Sequence, residues 1–188
     1  MISLLKKISM IYYFVFPSIF GIGYNQYKYS IIKKKILFGK TSIRLSNYID
    51  ERIVEIPWII NKLKKINKKK ILDVGCTLNF DYLINFFIKK NEIFFINIFK
   101  EKNNFISNQI SYIQNDIRNS IFKDSYFDVV SAISVIEHIG FDNTSYNNEA
   151  KKNIINKKDN YKKAILEIRR VIKKGGKFYL TVPFGKKQ

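Results

Sequence analysis

From residue 71 onward the chain alternates short apolar runs with longer stretches in which apolar residues recur every three or four positions. The short runs predict strands at 71–75, 93–98, 111–114, 126–132 and 176–182. The periodic stretches predict helices at 80–90, 101–108, 135–140 and 158–173. Strands separated by helices imply βαβ units and a parallel sheet, with right-handed crossovers stacking helices on both faces. The expected class is α/β, with a doubly wound, mainly parallel sheet. In the last helix Ile165, Ile168, Val171 and Ile172 line one face, and Gly175-Gly176 is expected to end it in left-handed geometry. The polar stretch from Phe141 to Asn160 reads as a loop, either a substrate-side lid or a tolerated insertion.

Upstream, residues 41–66 read as helical. Thr41 or Ser42 could cap, and Ile49, Ile53, Ile56, Ile59, Ile60 and Leu63 recur at helical spacing. Pro57 is expected to break this helix or start a new turn. A basic linker then leads into the first strand. Nearer the N-terminus, Ile8 to Tyr27 is an uncharged run of 20 residues between Lys6-Lys7 and Lys28. Pro17, Gly21, Gly23, Asn25, Gln26 and four tyrosines interrupt its apolar character. No small-residue cleavage site follows. Three arrangements fit the run: a helix packed on the domain, an interfacial membrane helix, or a transmembrane anchor. The expected organisation is a basic and apolar extension over 1–40, a helical lead-in over 41–70, and a globular domain over 71–188.

Composition narrows the reading in two places. The 46% hydrophobic content is ample for a packed core. The single cysteine, Cys76, excludes an intrachain disulfide, fits a reducing cytoplasm, and leaves no cysteine-based metal site. The net charge of +19 invites a nucleic-acid reading. The excess is uneven, however: residues 1–70 hold 15 Lys/Arg against 3 Asp/Glu, and residues 71–188 hold 19 against 12. Lys, Ile and Asn are also abundant throughout. The basic excess therefore reads better as a solvated surface, or as an anionic-membrane contact through 1–40, than as a nucleic-acid site.

Three segments carry the candidate chemistry. The apolar run Ile71-Leu72-Asp73-Val74-Gly75-Cys76 ends in an acid and a glycine, as a buried strand does when it enters a ligand-binding turn. "FDVVSAISVIEHIG" follows from Phe127 to Gly140, and "AILEIRRVIKKGGKFYLTVPFG" from Ala164 to Gly185. Together they resemble a class I S-adenosylmethionine-dependent methyltransferase of the bacterial type 11 kind. "ERIVEIPWII" at 51–60 and "GCTLNFDYL" at 75–83 resemble a narrower bacterial group, so the resemblance covers about residues 51–185.

The resemblance implies a Rossmann-like fold that binds S-adenosylmethionine. Gly75 would let the backbone approach the ligand, and Asp73 would lie near the ligand amine. Phe80 would start a helix whose amides face a carboxylate. Where the family usually has two further glycines, this chain has Thr77-Leu78-Asn79. Glu101 is the candidate for the ribose hydroxyls, with Asn97 second. Asp116, 12 residues before Asp128, would accept from the adenine amino group, and Ile117 would pack near the ring. Cys76 and Asn79 complete the cofactor-binding set. His138, the sole histidine, and Glu137 are the catalytic candidates, and no metal is expected.

The family sheet usually has seven strands, and this chain supplies about five. The resemblance thus implies an incomplete C-terminus and an open sheet edge for a partner to cover. The implied activity is methyl transfer to a small-molecule or glycan-related acceptor. Two alternatives stay open: an RNA methyltransferase using the basic extension, and a non-catalytic remnant. The expected location is cytoplasmic, with a peripheral membrane contact.

Overall fold

Ile71 and Leu72 point to opposite faces of the same strand, and both are fully buried. That is the mark of a parallel sheet covered on both sides. In the computed structural model, which describes residues 32–33, 36–37, 51–88, 91–140 and 159–182, five strands form one all-parallel sheet. They are β1 (Lys70–Val74), β2 (Glu92–Asn97), β3 (Ile110–Gln114), β4 (Phe127–Ile133) and β5 (Ile172–Thr181), in the order β3-β2-β1-β4-β5. The register runs Ile71 opposite Ile93 and Val129, Ile93 opposite Ile110, and Val130 opposite Phe178. The order reverses between β1 and β4, which makes their carboxyl ends the switch point of a doubly wound fold. The β1–β2 and β4–β5 connections run in opposite directions, so right-handed crossovers carry them over opposite faces.

The chain divides into two compact units, Met1–Asn61 and Lys62–Gln188. The first contains the buried Ile32 and Ile36 and most of helix α1 (Arg52–Leu63). Ile53, Ile56, Ile59, Ile60 and Leu63 of α1 are buried at helical spacing. Contrary to expectation, α1 runs straight through Pro57. Residues 8–27, 41–50 and 141–158 lie outside the described residues, and with them the apolar run, the cap and the polar loop. Among the described residues no helix is long and apolar enough to cross a membrane.

In the second unit the sheet packs against helix α3 (Asn160–Val171). Ala164, Ile168 and Val171 of α3 join Leu72, Val74, Ile96, Phe127, Val130, Ala132 and Ile136 in one core. Phe94 and Phe127 meet the rings of Phe122 and Tyr126, and each other, edge to face around it, while Phe122 and Tyr126 stack; both arrangements suit the aromatic quadrupole. Glu167 fastens α3 to the 3₁₀ turn Ile117–Asn119: its carboxylate accepts from the Ser120 hydroxyl at 2.7 Å and from Arg170 Nε at 2.9 Å.

Three helix expectations are corrected. The predicted helix at 80–90 shrinks to α2 (Asp81–Ile84), which is too short to offer a terminal anion site at Phe80. Phe86 and Phe87 continue as i to i+3 turns, a single i to i+4 bond follows from Ile88 N to the Ile84 carbonyl, and the Asn91 side chain takes the Phe87 carbonyl at 2.7 Å. The predicted helix at 101–108 is irregular. There side chains capture the backbone: Tyr112 OH accepts from Phe105 N at 3.0 Å, and Asn79 Nδ2 donates to the Asn103 carbonyl at 2.7 Å. The predicted helix at 135–140 is a 3₁₀ turn, Ile136–His138.

Gly175-Gly176 does not end α3 either. The helix stops at Val171 and β5 begins at once. The glycines lie inside β5, where five residues pass (Ile172 to Lys177) for two on β4 (Phe127 to Val129). A Cβ on Gly176 would lie 2.9 Å from the Lys173 carbonyl oxygen and 3.1 Å from that of Asp128, so this bulge needs a glycine.

Candidate functional site

The turn after β1 is built around a buried carboxylate. Asp73 is fully buried; its Oδ2 accepts from Leu78 N at 2.8 Å and its Oδ1 from Ser131 Oγ at 2.7 Å. The first bond closes residues 73–78 into a loop, and the second joins it to β4. Asp73 therefore shapes the turn from inside. Gly75 (φ +80°) and Cys76 (φ +55°) both occupy the left-handed region. A Cβ on Gly75 would come 2.6 Å from Val135 Cγ2, so the glycine also admits the turn that follows β4.

The residues that stand where two more glycines were expected are each engaged. Thr77 Oγ1 donates to the Ile133 carbonyl at 3.1 Å, joining the carboxyl ends of β1 and β4. Leu78 is fully buried. Asn79 is also buried; its Oδ1 accepts from Tyr112 OH at 2.9 Å while its Nδ2 holds Asn103. This ties the turn to the 98–109 connection.

Beside the turn a pocket of about 240 Å³ opens, lined by Cys76, Phe95, Asn97, Glu101, Tyr112 and Gln114 among others. Phe95 and Tyr112 stack with ring centroids 5.3 Å apart. Cys76 is 8% exposed and lines the pocket together with Glu101. Burial, then the charges of Asp73 and Glu101, push the Cys76 thiol far above the usual cysteine range, so it stays protonated. Burial likewise raises the Tyr112 phenol.

The pocket thus joins Cys76 with Glu101 and Asn97, three residues named from sequence. Phe95, Phe99, Tyr112 and Gln114 were missed, since nothing in strand patterning marks an inward aromatic as a pocket wall. Asp116 is held elsewhere. It caps the 3₁₀ turn through Arg118 N at 2.8 Å and pairs with the Arg118 guanidinium, with Nε 2.9 Å from Oδ2. Partial burial opposes its ionisation, but the Arg118 bonds outweigh this and hold the carboxyl below its usual range. Ile117 belongs to the apolar core. The neighbouring Asn115 has a buried Oδ1 without a hydrogen-bond partner, and its backbone N–H donates to the Asn97 carbonyl at 2.9 Å.

Glu137 and His138 occupy the 3₁₀ turn beyond β4, both half-buried. Both carboxylate oxygens of Glu137 are buried and lack a hydrogen-bond partner. Among the described residues no group of three or more His, Cys, Asp or Glu is placed to hold a metal ion.

This switch-point turn and its pocket fall within a stretch, residues 72–180, that matches the family model of the methyltransferase domain. The chain belongs to the methyltransferase domain family. The matched stretch runs from Leu72 in β1 to Leu180 in β5 and so takes in the whole described sheet but for its first two residues and its last. An uncharacterised protein of Methanocaldococcus jannaschii is 31% identical over 145 residues, covering 73% of this chain. The chain spans 52% of that relative's length.

Among solved structures, one described as a methyltransferase from an antibiotic biosynthesis pathway of Anabaena variabilis is 17% identical, with a TM-score of 0.45. It covers 63% of this chain, which spans 40% of it. A provisionally assigned S-adenosylmethionine-dependent methyltransferase of Listeria monocytogenes is 17% identical, with a TM-score of 0.42. It covers 62% of this chain, which spans 50% of it. The order β3-β2-β1-β4-β5 of the five described strands is in itself a doubly wound, Rossmann-like one.

Proposed function

We propose that this methyltransferase domain binds S-adenosylmethionine at the β1–β2 carboxyl ends and transfers its methyl group to a small-molecule or glycan-related nucleophile. The observation that carries the proposal is the pocket joining Glu101, Asn97 and Cys76 beside the Asp73–Leu78 turn. Its donor set suits a nucleoside. The Glu101 carboxylate can accept from two adjacent hydroxyls, and Phe95, Phe99 and Ile113 offer an apolar wall.

S-adenosylmethionine supplies an already activated methyl group on a sulfonium. What remains for the chain is to bind, align and exclude water. Alignment of this kind is worth on the order of 7–11 kcal/mol of barrier. Asp73 would preserve the turn, Glu101 would orient the sugar, and the Glu137–His138 turn would face the acceptor.

Titration calorimetry with S-adenosylhomocysteine tests the reading. Binding in the micromolar range, about −8 kcal/mol, is expected. A folded sample that releases no heat of binding overturns it.

A further inference from the structure

A carboxylate whose two oxygens are both buried and both unpartnered is an expensive feature for a fold to keep. Glu137 is one. Burial of a charge is tolerated when a counter-charge or several donors meet it. The position of Glu137 indicates where such a group comes from. It sits in the 3₁₀ turn directly after β4, and the carboxyl end of β4 adjoins that of β1 at the switch point. Two residues before it, the Val135 methyls fill the space that a side chain on Gly75 would need. Four residues before it, the Ile133 carbonyl holds Thr77. Ile136 packs into the core, which fixes the turn on its inner side. Glu137 is thus held on a turn that packs against the cofactor turn.

We propose that Glu137 receives the ammonium group of the acceptor, so that the substrate class of this site is an amine. This rests on the methyl-transfer reading above. Two oxygens call for at least two donors. A hydroxyl carries one proton to donate, whereas a primary ammonium carries three together with the matching charge. The chemistry agrees with the geometry. An ammonium nitrogen has no lone pair, so it passes one proton to a Glu137 oxygen. The freed pair then forms the N–C bond to the methyl carbon, and the electrons of the broken S–C bond stay on sulfur. The products are a methylated ammonium, a neutral thioether and protonated Glu137, which balances the charge of the ammonium, the sulfonium and the carboxylate.

Sinefungin provides the test. It is an S-adenosylmethionine analogue bearing a primary amine on the carbon that replaces the methylsulfonium, and so places an ammonium where the methyl group would be. Calorimetric affinities for sinefungin and S-adenosylhomocysteine are measured on the full chain and on Glu137→Gln. The unaltered chain is expected to prefer sinefungin about tenfold or more. In Glu137→Gln the preference falls to about one, with S-adenosylhomocysteine affinity held within about twofold. Glu137→Asp, which keeps the charge, retains an intermediate preference and serves if the Gln variant does not fold. Equal affinities in the unaltered chain, or a preference that survives Glu137→Gln, overturn the proposal. A folded chain that binds neither compound overturns the methyl-transfer reading itself.

Discussion

Asp73 braces the turn with a carboxylate that no solvent reaches, so its loss reaches beyond the side chain. Asp73→Ala strands the Leu78 amide in the interior and leaves the Ser131 hydroxyl only its longer 3.4 Å bond to the Leu72 carbonyl, at roughly 1–3 kcal/mol. Urea unfolding is expected to show that loss, and S-adenosylhomocysteine binding should vanish with the turn. Unchanged affinity would refute the role given to Asp73. Gly75→Ala faces both a left-handed φ and the 2.6 Å approach to Val135, and is expected to lose about 1–3 kcal/mol. Repeating it in a Val135→Ala background separates the two causes. The penalty should shrink by the steric part and keep the backbone part, and full additivity in the double-mutant cycle would refute the contact. Asp73 and Gly75 were legible in the sequence because an acid and a glycine at a strand end describe a local turn. The bonds of Thr77 and of Asn79, which was named only as a cofactor-binding residue, were not, because their partners lie 56 and 24 residues away in the chain. Asp116 was visible as a carboxylate, but its commitment to Arg118 depends on a side-chain orientation that spacing does not reveal.

The strands were the readable elements and the helices the unreliable ones, for one physical reason. The first four strands lie within one residue of expectation, because a strand buried on both faces needs only a short apolar run. Residues 101–108 were expected to be helical, yet Tyr112 and Asn79 reach in and take backbone groups that a helix would need. Helix α3 escaped that competition because its polar side chains bond outward. Glu167, held by Arg170 hydrogen bonds first and by Ser120, has its carboxyl lowered from 4.5 to about 2. A lowered folded-state value means the stabilisation is whole above about pH 4.5 and is lost as pH falls toward 2. Urea midpoints across this range are expected to fall with acid in the unaltered chain. They should fall less steeply in Glu167→Gln, which has no proton to gain. Identical acid slopes would remove Glu167 from the account of acid stability.

Charge acts on a longer range than any of these contacts. Lys62, Lys64, Lys65, Lys68 and Lys69 are exposed in the lead to β1, and the excess of 15 basic over 3 acidic residues in 1–70 lies on the same side of the sequence. If the N-terminal extension meets an anionic surface, vesicles rich in phosphatidylserine should recover the chain at low salt. They should recover less above about 0.3 M salt, where screening shortens to several ångströms. Removing residues 1–40 should lower recovery as well, and equal recovery would refute a role for that extension. β5 forms one edge of the described sheet and exposes Leu180, with the exposed Val182 just beyond it, at the position expected from sequence for a partner to cover. Cys76 has one further consequence. As the only thiol in the chain, sheltered at the wall of the pocket and kept protonated, it turns the protein into its own clock. The pace at which a thiol reagent labels it counts how often the turn opens, and a bound nucleoside should slow that pace.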